Sequence, residues 1–189
     1  RANERSVLAF EPSAADVLRI DAARFRSRSL VRDVPDELAS LVVEHGPLRE
    51  ELTKSDAAWR LLQPMQGPAD SLVLRTIAQR LASLDADHWS SMTAQASHGL
   101  ASPMLRLTAR FEGPGPDDES SEARDAGAPV DAGGNRLRQY VLSIGARSPD
   151  GGYFAALEGS SGVFVLSRTL VEDLGEFCVD RTVLELEVA

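Results

Sequence analysis

Several things are scarce in this sequence, and each scarcity removes a class of function. Lys54 is the only lysine; the rest of the 20 basic residues are arginines, and none of them cluster. With 29 acidic residues and a net charge of -9, there is no basic stripe from which counterions could be released onto nucleic acid. Attraction to anionic lipid is disfavoured for the same reason. Cys178 stands alone, which excludes an intrachain disulfide and any cysteine-based metal site. Aromatic residues make up 5%, with Trp59 and Trp89 the only tryptophans. No apolar run reaches the ~20 residues that a membrane helix needs. The sequence begins at Arg1 rather than at a methionine, so the expectation is that a segment upstream has been removed.

What is present is patterned. With 43% hydrophobic residues, the 189-residue chain can build a sizeable core. Residues 1–16 show no strong period and read as a lead-in. Val17–Ala22 reads as a strand, and Arg24–Leu30 as an exposed edge strand in which arginines alternate with Phe25, Ser27 and Ser29. Pro35, with Asp33, Asp36 and Glu37 around it, looks like a helix start, and Leu38, Leu41 and Val42 like its apolar stripe, stopped by Gly46. Leu48–Thr53 and Ala58–Gln63 form a predicted hairpin ended by Pro64. Asp70 is the expected cap of a helix whose Val73, Ile77, Leu81 and Leu84 recur at helical spacing, widened by Leu74 and Ala78. Trp59, on the neighbouring strand, is expected to be a core anchor.

Further strands are predicted at His88–Met92, Met104–Phe111, Leu137–Gly145, Tyr153–Glu158, Gly162–Leu166 and Arg181–Val188. Ser167 or Thr169 caps a last helix with Leu170, Val171, Leu174 and Phe177 facing inward. Between two of the strands, residues 112–136 carry seven acids against two arginines and almost no large apolar side chain, so they read as an acidic, flexible insertion. The predicted fold class is α+β: a mostly antiparallel sheet with helices packed on one face. Residues 17–189 form one domain, with 17–92 and 104–189 readable as two weakly related β-β-α-β units. The similarity between 54–62 and 158–166 that suggests a repeat is one of pattern, and chance would also produce it.

No catalytic, cofactor-binding or metal-ligating set is predicted. His45, His88 and His98 have no partner at ligand spacing. Asp85, Asp87 and His88 read as a solvated helix exit, and Ser160 and Ser161 as a hairpin turn without a nucleophile elbow. Asp117, Asp118 and Glu119 lack the spaced oxygens of a calcium loop, and Gly113 and Gly115 do not complete a phosphate loop. Cys178 reads as a structural thiol.

Ala58-Trp59-Arg60-Leu61, Pro64 and Ala69-Asp70 through Leu84 together resemble the W-x-L-x-x-P…A-D…L-x-x-L signature of the bacterial domain-of-unknown-function family 4340. His98-Gly99-Leu100-Ala101-Ser102-Pro103 resembles its aromatic-Gly-Leu-x-x-Pro element, with His98 in place of the usual Tyr. Tyr140–Gly145, Tyr153 with Val163–Leu166, and Asp180-Arg181 resemble later elements in the same order, so the likeness spans roughly Val17 to Val188. The acidic insertion and the predicted Pro35 helix depart from the family pattern. The resemblance implies a non-enzymatic, extracytoplasmic interaction or scaffold domain on the periplasmic side. The full-length protein would be tethered to the inner membrane by an anchor missing from this chain. Its implied partners are proteins of an ABC-type transport or envelope complex, with no nucleic acid and no cofactor. The alternative expectation is a domain that binds a polysaccharide or small envelope ligand, which requires Trp59 or Trp89 exposed in a concave pocket.

Overall fold

The computed structural model describes residues 26–55, 58–114 and 136–178. The strands are β1 (Leu38–His45), β2 (Leu48–Ser55), β3 (Ala58–Gln63), β4 (Gly67–Pro68), β5 (His88–Ser91), β6 (Leu105–Gly113), β7 (Arg136–Arg147), β8 (Tyr153–Leu157) and β9 (Val163–Leu166). Two helices accompany them, α1 (Ser71–Ala82) and α2 (Arg168–Leu174). All nine strands join one sheet in the order β4-β3-β2-β1-β6-β7-β8-β9-β5, antiparallel throughout. The chain therefore runs outward from β1 to β4, returns through α1, and places β5 at the opposite edge against β9.

The expected α+β class does not hold. Strand accounts for 47% of the described residues and helix for 19%, so this is a β-rich fold with two short helices. Nor are the units β-β-α-β, because four strands precede α1 and five lie between α1 and α2. The helix predicted from Pro35 is confined to a single 3-10 turn, Pro35–Glu37, and Leu38–His45 is strand. A bulge explains the misleading spacing. The β1–β6 register shifts between Leu38 and Ser40, leaving Ala39 as the extra residue, so Leu38 and Leu41, three apart, share the buried face.

Residues 26–30 form no strand; Ser29 makes only an isolated bridge to Asp85. The strands predicted at Val17–Ala22 and Arg181–Val188 lie outside the described residues. β6 and β7 pair as far as Gly113 and Arg136, so residues 114–135 connect two neighbouring antiparallel strands; 115–135 lie outside the described residues.

Asp70 caps α1 as its position predicts, accepting from the backbone N–H of Leu72 and Val73 at 2.9 and 3.2 Å. Leu74, Ile77, Ala78, Leu81 and Ala82 are buried on the helix, and the larger of them contribute about 1.5–3 kcal/mol each. Ser167 caps α2, with Val171 and Leu174 buried, but Phe177 lies beyond the helix end and is exposed. The helices are tied together by Arg80, whose guanidinium contacts the Asp173 carboxylate at 2.8 Å. One core cluster runs from Val31 through both helices and the sheet to Cys178.

The core anchor expected at Trp59 is found at Trp89 instead. Trp89 on β5 is buried, meets Phe164 edge to face at 5.5 Å, lies under the Arg26 guanidinium and donates to the Ser27 carbonyl at 2.9 Å. Trp59 is only half-buried at the margin of the core.

Candidate functional site

The residues singled out from the sequence are dispersed by the fold. His88 contacts Asp150 at 3.2 Å on the surface, and Asp85 contacts Arg32 at 2.7 Å, so the two are drawn to different partners. Among the described residues, no three His, Cys, Asp or Glu side chains are grouped to hold a metal ion. His98 is buried against Phe154 at 4.5 Å, and its Nδ1 accepts from the Gln95 N–H. Ser160 lies in the β8–β9 turn, its N–H donating to the Leu157 carbonyl at 3.1 Å, and the Ser161 carbonyl accepts from Arg26. Asp117, Asp118, Glu119 and Gly115 lie outside the described residues. Among those residues no helix is long and apolar enough to cross a membrane.

Two of the motifs quoted from the sequence do meet. Gly99 has a left-handed φ of +69°, and a Cβ there would stand 2.8 Å from the Ala146 nitrogen. Gly145 in turn packs on the backbone of His98 and Gly99. The His98-Gly99 turn thus rests directly on the end of the Tyr140–Gly145 strand, a close approach that glycine permits.

The most saturated polar cluster is Asp33, Glu37, Arg138 and Tyr140. Both Asp33 oxygens accept from Arg138, each at 2.9 Å, and the Asp33 side chain is fully buried. Arg138 also bonds Glu37 and donates to the Gly113 carbonyl at 2.9 Å. The Tyr140 hydroxyl donates to Asp33 at 3.3 Å, and burial with the adjacent carboxylate pushes its pKa up to about 12. With both Asp33 oxygens occupied and the tyrosine held protonated, the cluster is a clamp that ties the segment before β1 onto β7. No sequence signal points to it, since Asp33 and Arg138 are 105 positions apart.

Two of the concavities among the described residues carry an aromatic side chain. The first, of about 240 Å³, lies between α1 and β3, where the Trp59 ring shares the lining with Asp36, Lys54, Ser71, Arg75 and Gln79. Lys54 spends one donor on the Asp36 carbonyl at 2.8 Å. The second is a groove of about 560 Å³ at the end of the sheet where β1 turns into β2. Gly46, with φ +56°, and Pro47 make the two-residue turn. Pro47, Leu48, Gln63, Pro64 and Phe177 form much of the groove lining, with Leu48 57% and Phe177 43% exposed.

Glu50, 3% exposed, also lines this groove. It shares the inward face of β2 with Leu52. Its Oε2 accepts from the Cys178 N–H at 3.2 Å, while its Oε1 is buried with no hydrogen-bond partner among the described residues. The same holds for Nε2 of His45, whose ring lies 4.9 Å from that of Phe177. Burial lowers the His45 pKa below its ordinary value, against the opposing pull of Glu50. The Cys178 thiol is pushed up to about 12, first by burial and then by the carboxylates of Glu50, Asp70 and Glu176, so it is no nucleophile at neutral pH. Phe177, expected to point inward, is the residue that sequence reasoning misplaced here, and Glu50 is the one it missed.

A family model described as "Domain of unknown function (DUF4340)" matches residues 59–187. The match opens at Trp59, later than the Val17 suggested by motif likeness. No curated protein and no solved structure matches the chain.

Proposed function

Since the chain belongs to the DUF4340 family of domains of unknown function, we propose that it is a non-enzymatic interaction domain whose contact surface is the groove beside Phe177. It works on the extracytoplasmic side of a membrane-anchored protein, in contact with proteins of an ABC-type transport or envelope complex. The transport association rests on the family resemblance given above. The observation that carries the interaction reading is the exposure of Leu48 and Phe177 together with Pro47 and Pro64 around one concave surface. Apolar side chains gathered in this way are characteristic of protein contact sites. A photo-crosslinking amino acid at Leu48 of the full-length protein, in its own cells, should give a discrete adduct with a membrane transport component. The same group at the exposed Glu158, on the β8–β9 turn, should not. Equal labelling from both positions, or none from Leu48, overturns the reading.

A second reading is favoured by Trp59 alone: a half-buried ring in a cleft with Lys54, Arg75 and Asp36 suits an anionic sugar, stacked on the indole and held by the two cations. In a Trp89→Phe background only Trp59 fluoresces. Galacturonate oligomers should then quench it saturably, and a titration without saturation removes this reading.

A further inference from the structure

Among the described residues, nothing bonds one of the two buried carboxylate oxygens of Glu50. A buried carboxylate oxygen with no hydrogen bond is costly, on the order of 1–3 kcal/mol or more for a charged group. Arg49, the neighbour of Glu50 on β2, also lines the groove, but its exposed guanidinium is taken up by Glu44 at 2.9 Å and Glu51 at 3.3 Å. Cys178 contributes one N–H to Oε2 and nothing to Oε1. The groove that Glu50 lines is walled by the apolar Pro47, Leu48, Pro64 and Phe177, with Gln63 and Arg49 completing it. A buried acceptor beneath an apolar rim is the complement of an aliphatic chain that ends in a cation.

We infer that the groove recognises a partner segment presenting a lysine or arginine flanked by apolar residues, with the cation bonded to Glu50 Oε1 and the side-chain stem lying against Leu48 and Phe177. This rests on the reading of the groove as a contact surface. The chain's net charge of -9 favours approach of such a segment. The half-exposed Phe177 ring lines the same groove and packs on His45, so a partner reaching the buried Oε1 would displace it from His45. The buried His45 Nε2 beside it is then uncovered as a second polar atom for the partner.

The probe is n-pentylammonium, which reproduces a lysine side chain, with 1-pentanol as its neutral counterpart; both are followed by NMR. The cation should shift the Leu48, Glu50, Phe177 and Cys178 resonances saturably, and bind about tenfold more tightly than the alcohol, the scale of one charge-assisted hydrogen bond. Glu50→Gln, nearly isosteric, should abolish that preference while leaving weak apolar binding. Phe177→Ala should keep the preference for the cation, and decides the matter should the Glu50 variant not fold. Equal binding of cation and alcohol, or an unchanged preference in Glu50→Gln, overturns the inference. If crosslinking from Leu48 persists in Glu50→Gln alongside such a result, the contact surface stands and only its cation recognition falls. If crosslinking from Leu48 is absent in the native protein, the surface itself is wrong.

Discussion

His45 shows how one side chain can make this fold sensitive to acid. Its ring is packed under Phe177, its Nε2 has no partner among the described residues, and burial lowers its pKa from 6.5 in spite of Glu50. When the folded pKa is the lower one, the unfolded chain takes up the proton first as pH falls. Stability from His45 is therefore complete above about 6.5, declines as pH drops from there toward the folded pKa, and is not recovered below it. Urea unfolding between pH 7.5 and 5 should show the native protein losing stability faster than His45→Phe, with His88 and His98 common to both. Parallel curves would show that burial of His45 has no energetic weight. Neither this site nor the Arg138 clamp was legible in the sequence. Their partners are set by strand register: Glu50 meets Cys178 across 128 positions, and Asp33 meets Arg138 across 105.

Elements were legible where their signals are local. α1 is written in its Asp70 cap and in apolar residues at three- and four-residue spacing, and the β2–β3 hairpin in its alternation and in Pro64. The predicted helix over Leu38–Val42 failed because the extra residue at Ala39 gives a strand the three-residue spacing that a helix would have. The Leu41-Val42-Val43 run, two of its three residues β-branched, was the better guide. Trp59 carried the stronger local pattern, yet Trp89 is the buried ring. Its burial comes from β9, whose Phe164 is 75 positions away, and from the carbonyl of Ser27. β4 has only two residues, one of them proline, and gave no strand signal at all.

At the scale of the whole molecule, the sequence conveyed that the chain builds a mostly antiparallel sheet, with one helix too many, and that it resembles the family to which it belongs. It did not convey how far strand dominates. Nor could it show that β5, which follows α1 immediately, sits beside β9 at the opposite edge. Pairing of Trp89 with Phe164 and of His88 with Val165 spans 75 and 77 positions of the chain. Such non-local pairing costs loop entropy and has no signature in a window of neighbouring residues.

That crossing strand has a consequence for what can be taken apart. Cleaving the backbone after the exposed Ala101 leaves a first fragment, 1–101, whose terminal strand has no sheet to join, and a second, 102–189, whose β6 and β9 both lose a neighbour. Neither fragment is a module in its own right, yet each supplies what the other lacks at two separate places. Expressed separately they should be unfolded by circular dichroism. Mixed in equal amounts they should reassemble, and in a Trp59→Phe background the environment of Trp89 reports the moment β5 finds β9. A second fragment that folded to native stability unaided would show the crossing to be dispensable. If it is not, the domain can be split into complementing halves but cannot be inherited or engineered as one half alone.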